Sequence, residues 1–441
     1  MVKVITYGTY DLLHYGHIKL LERAKALGDY LIVGVTADDF DKSRGKINVQ
    51  QTLMERIEAV RATGLADEII VEEYEGQKID DIRKYDIDIF TVGSDWEGQF
   101  DYLNEYCKVV YLKRTEGVSS SEIREKVREI RFGVVGESAF LNKIQREVKY
   151  VNGITLKGVC TADASLLSDD LKELEVVTDN LDELLDQTDA IYIHSDPGRH
   201  YQEAYQALHK GKHVLCESPM TLKAEEYKEL KDYASKHHLV YMEALKTAYI
   251  TAYERILLLV KGGIIGNPVA VDAVCTSMEG LQKSWNSICD WGPTALLPVF
   301  QILGTDYKYK KIISLLDPNK NMYDQFTKIS LIYDHAVASI KVAKEAKSEG
   351  SLIVTGTKGY IYVPAPWWKT DYFEIRFEDS NTNKRYFYQL DGEGIRYELV
   401  AFTRMISDHT EYLVINENIS QAITGIIEDF YRKKDFIEIK S

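Results

Sequence analysis

Short apolar runs alternate with amphipathic stretches along the first 128 positions of this chain of 441 residues. The apolar runs are typical of buried strands. They predict strands over 3–8, 30–36, 68–72, 88–93 and 107–112. The stretches between them space apolar residues as a helix does, for example Ile18, Leu21 and Ala24. This alternation predicts a doubly wound α/β sheet, in which ligands bind at the carboxyl ends of the strands.

The alternation continues into the second half of the chain without a Gly/Ser or Pro linker, so we expect docked rather than tethered domains. A helix over 120–129 is predicted to lead into a strand over 131–135. Further predicted strands are 155–160, 189–194 and 212–216, with helices 181–187, 200–210 and 224–236. From about residue 268, alternating runs such as 339–342 predict a large, mostly antiparallel sheet.

The expected fold class is α/β: a Rossmann-like domain, a second Rossmann-like domain, and then a large α+β sheet domain. We expect these domains to span residues 1–130, 131–245 and 246–441.

Two histidines flank a glycine where the first predicted helix begins. Gly8 ends the first strand and lets the backbone approach a ligand, and His14, Gly16 and His17 follow. A helix N-terminus carries unpaired N–H groups and a partial positive charge, which suit a phosphate. A zinc site is a weaker alternative, because the segment lacks further ligands at zinc spacing. A third alternative is that both histidines are simply solvated.

The segment 4–21 resembles the H-x-G-H nucleotidyltransferases and, within them, the glycerol-3-phosphate cytidylyltransferases. Further segments resemble the same family in order: Asp41–Lys46, Met54–Arg56, Gly93–Gly98 and Arg114–Ser120. The resemblance covers residues 1 to about 128. One position departs from the family, since Gly64 stands where a second arginine is expected, and Arg61 one turn earlier is the candidate substitute.

The resemblance implies that an alcohol phosphate attacks the α-phosphate of CTP and releases pyrophosphate. Such chemistry needs cationic and hydrogen-bonding groups rather than a nucleophile. The expected catalytic residues are His14, His17, Lys46 and Arg114. The expected nucleotide-binding residues are Tyr7, Gly8, Thr9, Tyr10, Gly16, Arg44, Arg56, Thr115, Ser119 and Ser120. The expected substrate-binding residues are Asp11, Asp95 and Trp96.

Three points stay open within this assignment. Asp11 either places Mg²⁺, which is expected on charge grounds, or caps the turn before His14. Asp95 and Trp96 either contact ligand or subunit, or form a structural turn. Glycerol 3-phosphate rests on the resemblance, and ribitol phosphate or another short polyol phosphate is an alternative acceptor. The expected assembly is a homodimer, again by resemblance.

The second half resembles the Gfo/Idh/MocA oxidoreductases. The segments that carry this are Thr188–Ile193, His200–Tyr201, Gly211–Pro219, Gly356–Gly359 and Pro364–Trp368. The resemblance implies an NAD(P)-binding domain followed by a sheet domain.

The functional motifs of that family are altered in this chain. Gly136 is kept in the dinucleotide loop, but Ser138 and Leu141 occupy the other two motif positions. Ser218 replaces the lysine of the E-K-P motif, and Thr294 replaces the expected histidine. Lys246 either substitutes at the pocket edge or is a solvated helix lysine. The second half is therefore an altered oxidoreductase-like unit, an active NAD(P)-dependent enzyme that makes the alditol phosphate, or a non-catalytic scaffold.

Charge and cysteine content limit the expected partners and cellular location of the protein. The net charge of −15 argues against nucleic acid as a main partner, because binding a phosphate backbone needs a basic surface. The five cysteines form no C-x-x-C pair or disulfide framework. The sequence shows neither a signal peptide nor an apolar run of membrane-spanning length. We therefore expect a cytoplasmic protein.

Overall fold

The computed structural model divides the chain into two compact units. Unit 1 comprises Met1–Arg128 and unit 2 comprises Glu129–Ser441. The described residues are 1–37, 49, 51–74, 76–113, 129–278, 285–388, 390, 392–408 and 414–440. Within these ranges, no helix has the length and apolar character needed to cross a bilayer.

The described strands of unit 1 form a parallel sheet whose order reverses in its middle. They are β1 (Lys3–Gly8), β2 (Tyr30–Thr36), β3 (Glu68–Glu72), β4 (Ile89–Gly93) and β5 (Lys108–Leu112). Their order is β3-β2-β1-β4-β5, and the paired neighbours run parallel. The switch point of the sheet, where such folds bind ligands, therefore lies at the carboxyl ends of β1 and β4.

The described helices of unit 1 bury apolar faces against this sheet. They are α1 (Tyr15–Lys25), α2 (Leu53–Ala62) and α3 (Gln77–Tyr85). Leu21 of α1 and Val60 of α2 are fully buried in the same cluster as Val33 of β2. The start of α2 is fixed by a capping box, in which Thr52 and Glu55 each accept a hydrogen bond from the backbone N–H of the other.

Unit 2 begins with a second parallel sheet. Its strands are β6 (Ile130–Gly136), β7 (Ile154–Cys160), β8 (Val176–Thr178), β9 (Ala190–His194), β10 (His213–Glu217) and β11 (Tyr241–Ala244), in the order β11-β10-β9-β6-β7-β8. The accompanying helices are α4 (Leu141–Val148), α5 (Asp169–Lys172), α6 (Leu181–Gln187), α7 (Pro197–His209) and α8 (Ala224–Lys236). The switch point of this sheet lies between β6 and β9.

A large mixed sheet completes unit 2. Its strands are β12 (Pro268–Thr276), β13 (Tyr309–Leu316), β14 (Asp324–Ile332), β15 (Val337–Ala343), β16 (Leu352–Gly356), β17 (Tyr360–Val363), β18 (Tyr372–Arg376), β19 (Lys384–Phe387) and β20 (Phe436–Ile439). They lie in the order β19-β18-β17-β16-β12-β15-β14-β13-β20, and most neighbours are antiparallel. The helices here are α9 (Thr251–Lys261), α10 (Ser287–Asp290), α11 (Gly292–Leu303), α12 (Ile395–Asp408) and α13 (Glu417–Tyr431).

One hydrophobic core joins the two sheets of unit 2. Phe132 of β6 and Leu215 of β10 belong to the same buried cluster as Ile340 of β15 and Ile375 of β18. The predicted division of this unit at residue 245 therefore falls within elements that share a core, and it stays a prediction.

The predicted fold class is confirmed, and the strands for which bounds were predicted agree with the structure to within one residue at each end. The predicted start of a helix at residue 200 is wrong. The helix α7 begins at Pro197, because the Asp196 side chain accepts from the Gly198 N–H at 2.9 Å and proline suits the first helical position. The predicted helix over 120–129 lies, except for its last residue, outside the described residues.

Candidate active site

The switch point of unit 1 gathers several predicted site residues. His14 and His17 lie at the start of α1, which follows β1. Asp95 and Trp96 lie in a short 3₁₀ turn directly after β4, the neighbour of β1 in the sheet. Because parallel strands end at the same edge, both pairs flank one crevice. Asp95 is exposed, whereas Trp96 is half-buried, with its ring centre 6.1 Å from that of Phe100.

The two histidines form a stacked pair at the helix N-terminus. Their ring centres are 3.9 Å apart, and the rings are 18° from parallel. His14 is the N-cap of α1, and its Nδ1 accepts from the Gly16 N–H at 3.1 Å. Burial lowers the pKa of His14, so the ring is neutral at pH 7. Since Nδ1 accepts a hydrogen bond, the remaining hydrogen lies on Nε2, which can donate to a phosphate oxygen.

The segment before the histidines is held in an unusual backbone conformation. Tyr10 and Leu12 both have positive φ, at 54° and 47°. The Tyr10 ring is buried and packs edge-on against His17, with ring centres 5.6 Å apart. Asp11 is also buried, and its Oδ1 accepts from the Gln51 N–H at 2.9 Å. This contact ties Asp11 to the residue before the N-cap of α2, and both alternatives for Asp11 stay predictions.

Arg56 is fully buried and joins three loops of unit 1. Its Nη1 donates to the carbonyl oxygens of Thr9 at 2.7 Å and Thr36 at 2.8 Å. Its Nε donates to the carbonyl oxygen of Gln51 at 3.1 Å. These contacts tie the turn after β1 to the end of β2 and to the start of α2. The guanidinium therefore orders the loops around the crevice, and direct contact with a nucleotide stays a prediction.

Tyr7 directs its hydroxyl to an interior partner. It donates to Asp81 Oδ2 at 2.9 Å, and Lys78 Nζ lies 4.7 Å from the centre of its ring. Burial raises the pKa of Tyr7, and the Asp81 carboxylate raises it further, so the phenol stays protonated. The hydroxyl hydrogen of Tyr7 is thus engaged inside unit 1, and a nucleotide contact of this residue stays a prediction.

Sequence reasoning missed the polar face of α3 that supports this edge of the sheet. Gln77, Lys78 and Asp81 are all buried on that helix. Lys78 pairs with Glu72 at the end of β3, and Glu72 also accepts from Thr36 Oγ1 at 2.9 Å. The sequence did carry a signal for this feature, because polar residues recur on the face of α3 that packs against the sheet.

Six predicted site residues belong to the ranges 38–48 and 114–128. Arg44, Lys46, Arg114, Thr115, Ser119 and Ser120 lie outside the described residues. The strand β5 ends at Leu112, at the same edge of the sheet as Gly8 and Gly93. Among the described residues, no group of three or more His, Cys, Asp and Glu could hold a metal ion.

The first turn of unit 2 keeps one glycine of the dinucleotide motif. Gly136 has φ of 152°, and a Cβ there would overlap the carbonyl oxygen of His194, so only glycine fits against β9. Ser138 Oγ accepts from the Phe140 N–H at 3.2 Å. Leu141, at the third motif position, is fully buried. The turn thus keeps its close approach to β9, while larger side chains fill the other motif positions.

Aromatic and acidic groups line the carboxyl ends of β9 and β10. Glu217 Oε2 accepts from Tyr192 OH at 2.7 Å and lies 3.1 Å from His194 Nδ1. The His194 ring stacks on Phe140 with ring centres 4.3 Å apart, and Trp285 lies 5.3 Å from His194. Flat aromatic faces beside the N-terminus of α4 fit a nicotinamide dinucleotide, which needs stacking for its rings and N–H groups for its pyrophosphate.

Lys246 lies at the edge of this second crevice. It begins a short 3₁₀ turn, Lys246–Tyr249, and its Nζ is 2.8 Å from Glu393 Oε2. The same Nζ lies 5.2 Å from the centre of the Phe140 ring. Lys246 is therefore paired and largely shielded from solvent, with 23% of its side chain exposed, and its role as a substitute at the pocket edge stays a prediction.

The two units match different families of known proteins. Residues 5–126 match the family described as Cytidylyltransferase-like. Glycerol-3-phosphate cytidylyltransferase of Bacillus spizizenii is 50% identical over 135 residues, which are 30% of this chain and 100% of that protein. Glycerol-3-phosphate cytidylyltransferase of Staphylococcus aureus is 49% identical over 131 residues, 29% of this chain and 96% of that protein.

Residues 130–245 match the oxidoreductase family with an NAD-binding Rossmann fold. KijD10, a 3-ketoreductase from Actinomadura kijaniata solved with NADP and TDP-benzene, has a TM-score of 0.63 and 15% identity. The match covers 71% of this chain and 100% of that one. At this identity the likeness shows the fold of the second half.

Proposed function

This chain belongs to the glycerol-3-phosphate cytidylyltransferase family, and on that premise we propose that unit 1 joins CTP and glycerol 3-phosphate to give CDP-glycerol and pyrophosphate. The observation that carries the proposal is the stacked pair of His14 and His17 at a helix N-terminus, on the switch point of the sheet. The product would supply the synthesis of a teichoic-acid-like or capsular polymer in the cytoplasm. A homodimer is the proposed assembly.

The residues of unit 1 act by positioning and by charge stabilisation. The oxygen of the acceptor phosphate attacks the α-phosphorus of CTP, and the bond from that phosphorus to the pyrophosphate oxygen breaks. Negative charge grows on the transferring phosphate, where the Nε2–H of His14 and the N-terminus of α1 can donate. His17 packs on His14 and keeps both rings at the crevice.

We propose that Mg²⁺ enters with the nucleotide. Among the described groups of the crevice, the imidazoles and backbone N–H groups suit phosphate oxygens rather than Mg²⁺. The triphosphate itself offers the hard oxygen ligands that this ion prefers. Bound there, the ion would neutralise charge on the leaving pyrophosphate.

The test is pyrophosphate release from CTP and Mg²⁺ with a panel of acceptors. We expect strong turnover with glycerol 3-phosphate and little with ribitol 5-phosphate, erythritol 4-phosphate or phosphocholine. Chelation of Mg²⁺ should abolish turnover, because the triphosphate charge is then uncompensated. If only a different acceptor were turned over, the proposed reaction would stand and the proposed acceptor would be wrong. No turnover with any acceptor would contradict the proposed function.

The family match of residues 130–245 and the glycine turn at Gly136 favour a second candidate function. In it, unit 2 binds NAD(P)(H) and makes the alditol phosphate that unit 1 activates. Bound there, the nicotinamide would supply hydride transfer. Gly136 and the N-terminus of α4 would hold the pyrophosphate, and Phe140 and His194 would offer aromatic faces. Ser218 and Thr294 are not assigned a proton-transfer step.

Energy transfer from tryptophan to bound NADPH tests this candidate on the full chain. Trp285 lies beside His194, so nicotinamide bound at that edge should emit when tryptophan is excited. We expect a saturable signal that His14→Ala leaves unchanged, because His14 lies in unit 1. Absence of saturable emission with both NADH and NADPH would contradict the candidate and favour a scaffold role for unit 2.

A further inference from the structure

Three lysine side chains of unit 2 converge on a single carboxylate. Lys246 Nζ lies 2.8 Å from Glu393 Oε2, and Lys369 Nζ lies 2.9 Å from Glu393 Oε1. Lys143 Nζ lies 3.1 Å from both oxygens. The three lysines come from the first turn of α4 and from two separate 3₁₀ turns. A structural ion pair needs one cation, so this arrangement carries more positive charge than Glu393 requires.

The cluster is accessible to a small molecule. The side chains of Lys143, Lys246, Lys369 and Glu393 are 45%, 23%, 34% and 29% exposed. Phe140 forms an apolar wall, with Lys246 Nζ 5.2 Å from its ring centre. The site lies at the carboxyl end of β6, the part of the sheet where such folds bind ligands.

Two further acids, Glu217 and Glu398, interact electrostatically with Lys246. Burial raises the pKa of Glu217, but His194, Tyr192 and Lys246 together lower it. Burial raises the pKa of Glu398 well above its usual value, which favours its neutral form. Burial favours the neutral form of Glu393 too, but the lysines lower its pKa to about 2. Among the described residues, three ammonium groups thus contact the single carboxylate of Glu393.

The Glu393 carboxylate is held over the lysines by a tight turn. Glu393 itself has φ of 52°, an uncommon conformation for a residue with a side chain. Gly394 has φ of 90°, and a Cβ there would overlap the carbonyl oxygen of Lys246. The turn is thus seated directly on the segment that carries one of the lysines. A carboxylate in this position resembles one edge of a phosphate, because both groups present two oxygen atoms to the lysine ammonium groups.

We propose that Lys143, Lys246 and Lys369 form a phosphate-binding site, and that the Glu393 carboxylate occupies the place of the anion when no ligand is bound. A phosphate monoester carries close to two negative charges at neutral pH, which matches three ammonium groups better than one carboxylate does. The ligand is a small phosphorylated molecule whose organic part lies against Phe140. The site lies in unit 2 and does not depend on the activity of unit 1.

Titration of the full chain with inorganic phosphate tests the site, with tryptophan emission or heat as the readout. Glu393→Gln removes the internal competitor, so the apparent dissociation constant should fall by about tenfold. Lys143→Ala combined with Lys369→Ala removes two donors and should raise it by about tenfold or more. Chloride at matched ionic strength corrects for general screening.

A matched control removes two other paired lysines of unit 2. Lys149 pairs with Asp170 and Lys157 pairs with Glu175, so Lys149→Ala combined with Lys157→Ala makes the same change in charge. This control should bind phosphate as the parent does. Equal affinity in the parent, the Glu393→Gln variant and the double lysine variant would overturn the proposal. Glu393→Gln keeps the test valid if the lysine variant does not fold.

The source of the phosphate is separated by a second set of titrations. Glycerol 3-phosphate, ribitol 5-phosphate and NADPH are each compared between Glu393→Gln and the double lysine variant. Any contribution from unit 1 is common to both variants and cancels. If the binding of an alditol phosphate depends on the lysines, the site is a substrate site. If the binding of NADPH depends on them, the site holds a phosphate of the cofactor. If the lysines affected the binding of inorganic phosphate alone, the ligand would be a free anion. That result would overturn the assignment of an organic part.

Discussion

Alanine at His14 or at His17 is expected to lower turnover of CTP by about 100-fold or more, the usual cost of removing one donor to a transition-state oxyanion. His14 supplies the Nε2–H, and His17 supports its ring at 3.9 Å. The loss should appear in kcat, because the donated charge matters most while the bond to pyrophosphate breaks. Steady-state pyrophosphate release is the measurement.

A neighbouring residue provides the control for the histidines. Tyr15 opens the same helix and is 58% exposed, so Tyr15→Ala should leave turnover nearly unchanged. Circular dichroism should show that all three variants fold. Near-normal turnover in both histidine variants would contradict the assignment of this crevice as the active site.

Replacing Arg56 with alanine is expected to lower the stability of unit 1 by about 3 kcal/mol and to reduce turnover as well. The guanidinium is fully buried, and its loss leaves the carbonyl oxygens of Thr9, Thr36 and Gln51 without this donor. The turn that leads to His14 would then lose one of its anchors. Urea denaturation and steady-state kinetics measure the two effects.

The same helix offers a matched control for Arg56. Arg61 lies on α2 and pairs with Glu58, but its side chain is 59% exposed. Arg61→Ala should change the free energy of unfolding by less than about 0.5 kcal/mol. Arg56→Lys keeps the charge but not the planar fork, so it should recover only part of the stability. If Arg56→Ala and Arg61→Ala were equally mild, the loop-ordering role of Arg56 would be wrong.

The sheets could be predicted because their strands are buried on both faces. Val4 and Ile5 are both fully buried although they point to opposite faces, so the strand appears in the sequence as an unbroken apolar run. The histidine pair was also visible, since a local motif places it at a helix start. Here sequence neighbours are spatial neighbours.

The sequence could not reveal contacts between distant positions. Lys143 and Glu393 are 250 positions apart, and only the packing of two sheets on one core brings them together. Arg56 shows a different limit. Its place in the family motif suggested a ligand contact, but whether an arginine faces a ligand or the backbone depends on how the loops close around it.

The shared core of unit 2 has a consequence for how this chain can be divided by recombination. An exchange near residue 245 would cut elements that bury their apolar surfaces against each other, and neither fragment would keep a complete interior. An exchange near residue 128 leaves each compact unit whole. We therefore expect a chimaera joined near residue 128 to keep both interiors, and one joined near residue 245 to expose apolar surface in each part.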